Sequence, residues 1–213
     1  MWAEVPGLLS ARAPYTAFVD RPKLKAPARV LVWIIVNVEH WSMVRAMPRT
    51  VLSPPMGVPL QPDLPNWAWH EYGMRVGFWR LHQALRARAL DVTLALNAVV
   101  CDSYPRVAQA ALESDWEFMG HGWLQGPMHK VGNQAEAIEM AMRKIADFTG
   151  SRPRGWESPG LTETDVTLDL LSAAGVQYVA DWVLDDLPTW LQAKPNPVLS
   201  IPYSVELNDI PVH

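Results

Sequence analysis

The chain has almost no cysteine. Cys101 is the only one, which excludes an internal disulfide and a cysteine-based zinc knuckle. A single cysteine also agrees with a reducing compartment. An excess of positive charge is missing as well: 18 Lys and Arg stand against 22 Asp and Glu, a formal charge of −4. The basic residues form no dense run, so nothing electrostatic points to nucleic acid as a partner. Long apolar runs are lacking, and the longest, Val30 to Val36, is far too short to span a membrane. The opening MWAEVPGLLSARAPY has no basic start followed by an apolar core. No signal peptide is read from it, and a cytoplasmic location is expected. Several reaction classes lack their motif: there is no GxSxG elbow, no GxGxxG after a strand, no Walker sequence and no HExxH.

What the chain does contain is a globular composition, 49% hydrophobic and 19% charged over 213 residues. That length suits one domain with a sizeable core. Nineteen prolines and eleven tryptophans stand out. Many prolines fall in PRTVLSPPMGVPLQPDLP, Pro48 to Pro65. Proline fixes φ and removes a backbone donor, so this stretch predicts a long irregular loop. It is either a lid or pocket wall, or a plain surface excursion.

After an extended arm over 1–29, Val30–Val38 reads as a strand buried on both faces. A helix is expected from Tyr72 to Ala89, with Met74, Phe78, Leu81 and Leu85 as its buried stripe and most of its arginines, Arg75 among them, off it. Val92–Val99 is a second strand, followed by a short helix that Ser103 caps and Pro105 opens. Trp116–Met119 is a third strand. Asn133, with Glu136, caps a helix that runs to Phe148 and stops at Gly150. Arg154–Glu157 is a fourth strand, and Thr162 caps the next helix, which Gly175 ends. Gln177–Asp181 and Val198–Pro202 complete six strands. Such β(α)β alternation predicts a parallel sheet, either open and doubly wound or closed into a barrel.

Parallel α/β folds gather their sites at the carboxyl ends of strands. The first strand delivers Asn37, Glu39, His40 and Trp41 there. The third delivers His121, Gly122 and Trp123, the fourth Glu157 and Ser158, and the fifth Asp181, Trp182, Asp185 and Asp186. Glu39 is the sharpest candidate. A carboxylate leaving an apolar strand is partly desolvated, which raises its pKa toward the range of a general base. The bland alternative is a buried Glu satisfied by backbone N–H groups or an Arg. His121 reads as a metal ligand, a general acid or a satisfied structural histidine. Trp41, Trp123, Trp156 and Trp182 would wall a ring-shaped substrate or simply pack the core. Cys101 is a weak nucleophile candidate, with no His next to it in sequence. His70, His82 and His129 read as structural or solvated.

The set N-V-E-H at 37–40, H-G-W at 121–123, R-P-R-G-W-E-S-P-G at 152–160 and D-W-V-L-D-D-L-P at 181–188 resembles the polysaccharide deacetylase (NodB-homology) superfamily. It looks most like the branch of cofactor-independent allantoinases and cyclic imide hydrolases. The resemblance implies an α/β fold, a distorted (β/α) barrel over 30–213, and hydrolysis of a non-peptide C–N amide bond. In the family's pattern one acidic residue activates water, and a second binds a divalent metal with two histidines spaced H-x-x-x-H. Glu39 matches the base, His40 the metal-binding acid and His121 the first histidine. Gln125 stands where the second histidine belongs, and Glu157 stands for the usual Arg of the third motif. Either no cofactor is used, or a divalent metal such as zinc is held by His40, His121 and another group. The losses agree with the allantoinase-like branch and point toward a metal-independent site.

The implied substrate is a cyclic imide, a ureide or an N-acetyl sugar. Glu39 and His121 would do the chemistry, and His40, Trp41, Trp123, Glu157, Asp181, Trp182 and Asp185 would line the site. The family also carries a C-terminal Leu-His element. The chain ends at Pro211-Val212-His213 and offers no match to it, so the barrel is expected to lack its last strand and helix. The exposed edge that results predicts a homo-oligomer. A non-catalytic ligand-binding module on a decayed deacetylase barrel is the alternative reading.

Overall fold

The computed structural model describes residues 31–209. The expected arm over 1–29, Val30 of the first strand and His213 lie outside the described residues. No described helix is long and apolar enough to cross a membrane.

Seven strands form one sheet. They are β1 (Ile35–Val38), β2 (Thr93–Leu96), β3 (Glu117–Gly120), β4 (Gly155–Trp156), β5 (Tyr178–Val179), β6 (Thr189–Leu191) and β7 (Val198–Ser200). Their spatial order is β1-β2-β3-β4-β5-β7-β6. All neighbours are parallel except β6 and β7, which pair antiparallel. The α/β expectation and the parallel order therefore hold. The sheet curls: Trp33, just before β1, meets Tyr178 of β5 edge-on, with ring centroids 5.8 Å apart. β6 is the strand that the sequence does not announce.

The helices are α1 (Leu64–Tyr72), α2 (Phe78–Arg86), α3 (Val100–Ser103), α4 (Pro105–Leu112), α5 (Gln134–Thr149) and α6 (Thr167–Ala173). They follow local chemistry closely. The Asn133 side chain accepts from Glu136 N, and Gly150 closes α5 at φ 77°, a left-handed conformation that glycine takes without penalty. Asp63 accepts from Asn66 N and starts α1 eight residues before the expected helix, with a proline in the first turn. A π-helical segment, Gly73–Gly77, joins α1 to α2.

Four local expectations are corrected. Leu81 is exposed, and the buried face of α2 runs through Phe78 and His82. The His82 ring is usable there because Nε2 meets Ser114 Oγ at 2.8 Å and the ring stacks on Phe78. Thr162 caps no helix: its hydroxyl donates to Pro159 O and accepts from Met128 N, so α6 starts later, at Thr167. Ser103 closes α3, and Tyr104 precedes α4, which Pro105 opens. β1 is buried on one face only, because it is an edge strand whose other face opens on the site; the fully buried strand is β2.

The main core lies between the helices and the outer face of the sheet. Leu94, Leu96, Ile138, Met142, Ile145, Trp156, Leu168 and Leu171 are almost fully buried there, each contributing about 1.5–3 kcal/mol of transfer free energy. The inner face carries a second, small cluster of Ala95, Met119 and Ala180. The two clusters divide by strand alternation, and that alternation aims the site.

Candidate active site

The register puts Asn37 beside Ala95 and Ala95 beside Met119. Gly120 pairs with Trp156, so Met119 and Gly155 share the inner face. Side chains two residues further along each strand point the same way. Those positions are Glu39, Asn97, His121 and Glu157, delivered to one layer by four strand ends. Gly155 has no side chain for a reason: a Cβ there would lie 2.1 Å from the Tyr178 ring.

His121 is buried at the centre of this layer. Its Nδ1 donates to the Glu157 carbonyl at 2.7 Å, which leaves Nε2 as the nitrogen that titrates. Nε2 faces Glu39 Oε1 at 3.5 Å and makes no direct hydrogen bond among the described residues. Burial disfavours the imidazolium, but the Glu39 and Glu157 carboxylates outweigh it and push His121 up to about 9. Glu39 moves the other way. Burial raises its pKa, as the strand context suggested. His121 and the Trp41 N–H, which donates to Oε2 at 2.5 Å, more than offset this, and the net pKa lies below the ordinary value. The expectation of a raised Glu39 pKa is therefore corrected.

Glu157 is 2% exposed. Its Oε1 accepts from Asn37 Nδ2 at 2.7 Å, and burial first, with Asp181 nearby, pushes its pKa up to about 7. Asn97 is fully buried and ties three strand ends together. Its Oδ1 accepts from His40 N at 2.8 Å, and its Nδ2 donates to the His121 carbonyl. Neither Asn97 nor Glu163 was singled out in the sequence. For Asn97 the signal was a polar residue directly after the apolar run LAL of β2; for Glu163 there was none.

The other predicted residues take varied places. Trp41 is buried, stacks on His70 with centroids 5.2 Å apart, and holds Glu39 rather than facing a ligand. His70 in turn bonds the Glu39 carbonyl through Nε2 at 2.7 Å. His40 turns aside, with Nδ1 3.0 Å from Ser103 Oγ. Trp123 and Trp182 are half-buried against the outer core, and Trp182 Nε1 donates to Glu163 Oε1 at 3.1 Å. Asp181 follows the outward parity of Val179; its Oδ1 accepts from Ser158 N at 2.6 Å, and its carboxyl meets that of Glu163. Asp185 accepts from Leu187 N, shaping its own loop. Arg75 and His129 are exposed. Cys101 is buried and its thiol is pushed up to about 11, which removes it as a nucleophile at neutral pH.

The family pattern implies a divalent metal, and the donors here do not fit one. His40 is engaged by Ser103, and the Gln125 amide oxygen accepts from Asn97 at 3.3 Å. Among the described residues no three His, Cys, Asp or Glu side chains are grouped so as to hold an ion. No step below is routed through a metal.

The polysaccharide deacetylase family model matches residues 69–179. The chain belongs to the polysaccharide deacetylase family. The matched stretch includes His121 and Glu157 and leaves out Glu39 and Asp181. A curated Schizosaccharomyces pombe protein named for polysaccharide deacetylase is 26% identical over 157 residues, 66% of this chain and 49% of that protein. The crystal structure of Puue allantoinase superposes with a TM-score of 0.71 at 25% identity, covering 84% of this chain and 63% of that one. A Pseudomonas aeruginosa structure named for polysaccharide deacetylase gives a TM-score of 0.67 at 25% identity, with the same coverage of 84% and 63%. The chain thus spans about half the length of the curated relative and under two thirds of either structure.

Proposed function

We propose that this chain hydrolyses a non-peptide C–N amide bond, with Glu39 as general base on water and His121 as general acid. The observation that carries the reading is the pairing of Glu39 Oε1 with His121 Nε2 at 3.5 Å, with opposite shifts in proton affinity. At neutral pH the base is ionised and the acid is protonated, the state that amide hydrolysis needs at its start. Glu39 takes a proton as water adds to the carbonyl carbon. In the tetrahedral intermediate the new oxygen and the leaving nitrogen share one carbon, so base and acid must reach neighbouring atoms. The short gap supports this. His121 Nε2 then gives its proton to nitrogen as the C–N bond breaks.

The substrate class is a cyclic imide, a ureide or an N-acetyl sugar. Glu39 and Glu157 flank a single cation, His121, and this supports a neutral substrate over an anionic one. The test is turnover of succinimide, hydantoin and N-acetylglucosamine oligomers by wild type and Glu39→Gln. Loss of about 10²- to 10⁴-fold in the variant is expected; equal rates would sink the mechanism. Binding of a substrate by wild type without turnover would instead favour the ligand-binding module, for which the unassembled metal donors speak.

A further inference from the structure

Tyr203 stands in the segment after β7 and packs against Ala95, Met119 and Ala180 on the inner face. Asn37 lies in the same layer, beside Ala95 and two residues before Glu39. The Tyr203 oxygen accepts from Asn208 Nδ2 at 2.5 Å. Asn37, whose Nδ2 already donates to Glu157 Oε1 at 2.7 Å, is its second amide neighbour. A phenol oxygen has two lone pairs and one hydrogen. Asn208 occupies one lone pair, the hydroxyl keeps its own hydrogen as a donor, and no hydrogen bond from that hydrogen is found among the described residues. Burial and the charges of Glu157 and Glu39 keep the phenol above its ordinary pKa, so that hydrogen stays in place.

We infer that the Tyr203 hydroxyl is a catalytic hydrogen-bond donor to the substrate's carbonyl oxygen. The inference rests on the hydrolase reading above and supplies the electrophilic half of that site. As water adds to the carbonyl carbon, the π pair moves onto oxygen and the water proton goes to Glu39. The oxyanion then accepts the Tyr203 hydrogen bond, without proton transfer, until the C–N bond breaks and nitrogen takes the His121 proton. Preorganised donors at such an oxygen are among the largest contributors to acyl-transfer catalysis.

The experiment compares the full chain with its Tyr203→Phe variant, matched by circular dichroism, on whichever of succinimide, hydantoin and N-acetylglucosamine oligomers the wild type turns over. A fall in kcat of about 10²-fold, with KM nearly unchanged, is expected. On the corresponding thiocarbonyl compound, whose sulfur accepts hydrogen bonds poorly, the two proteins should differ far less. An active wild type and an equally active Tyr203→Phe overturn the inference alone, as does an equal penalty on the oxygen and sulfur substrates. If the wild type turns over none of them, calorimetric titration with the same compounds decides. Binding weakened by Tyr203→Phe keeps the contact and removes the hydrolase reading; unchanged binding, or no binding at all, overturns both.

Discussion

Glu39 Oε1 stands 3.5 Å from His121 Nε2, and each group moves the other's proton affinity away from neutrality. Glu39 is held below its ordinary value of 4.5, and His121 is pushed up to about 9. The reactive pair is carboxylate and imidazolium throughout the range between. Activity should therefore persist through neutral pH, where any step near 7 reports the neighbouring Glu157, fall on the acid side only below pH 4.5, and fall on the alkaline side near pH 9. A pH profile of kcat/KM checks this. An alkaline limb near 6.5 would mean that His121 titrates as an isolated imidazole.

The same pairing makes a prediction for folding. A histidine whose pKa rises on folding contributes stability that is fully present below its unfolded value of 6.5 and is lost as pH rises through about 9. Glu39→Gln removes the largest raising contact, so the His121 pKa should drop. NMR titration of the ring nitrogens measures the drop directly, and denaturant midpoints at pH 6 and pH 9.5 should lie closer together in the variant than in the wild type.

Trp41 separates packing from polarity at the base. Its ring stacks on His70 and its N–H reaches Glu39 Oε2 at 2.5 Å. Trp41→Phe keeps most of the aromatic face and deletes the donor. A hydrogen bond to a charged group contributes about 1.5–3 kcal/mol, although Glu39 is partly open to solvent, which lowers the figure. The Glu39 pKa should rise and the acid limb of the pH profile should move up with it. A variant that loses stability while its acid limb stays fixed would show that Trp41 only packs.

Much of this arrangement was legible from local patterns. An apolar run marked β1, and the β(α)β alternation placed β3 and β4, so that the strand ends carrying Glu39, His121 and Glu157 could be located. The Asn133 cap and the Gly150 stop are local chemistry, and both appear as expected. What was not legible depends on partners distant in sequence. β6 has three residues and exists only through its pairing with β7. The direction of the Glu39 shift was misread because burial is visible in a strand pattern, whereas a histidine 82 residues further on is not. Position alone puts Asp181 at the rim, yet strand parity turns it behind the site, toward Ser158 N.

Asn97 should matter for stability more than any rim residue. It is fully buried and holds His40 N and the His121 carbonyl at once. Asn97→Ala leaves two backbone groups without these partners, each costing about 1–3 kcal/mol if buried and unsatisfied. A total loss of roughly 3 kcal/mol in chemical denaturation is expected, together with a fall in activity from displacement of His121. A loss under about 0.5 kcal/mol would show that water replaces the amide.

Glu163 and Asp181 make a test of a different kind. Glu163 Oε2 and Asp181 Oδ2 are both buried and have no conventional donor, yet the two carboxyls contact each other. Two such groups can sit together only by sharing a proton. Burial raises both pKa values, and the contact places the proton on Glu163, because Asp181 also accepts from Ser158 N. The sign for stability follows. A carboxyl whose pKa is raised on folding stabilises fully below its unfolded value, 4.5 for Glu163, and loses that contribution as pH rises toward the folded value. The wild type should therefore lose stability from neutral into alkaline pH. Glu163→Gln keeps a hydrogen on the side chain that cannot be titrated away, so its amide can still donate to Asp181. Its denaturant midpoint should change less between pH 6 and pH 9 and should exceed that of the wild type at the upper end. Because Ser158 N adjoins the Glu157 carbonyl that orients His121, Asp181→Ala should in addition lower kcat. Parallel stability curves for wild type and Glu163→Gln would show that the pair holds no proton.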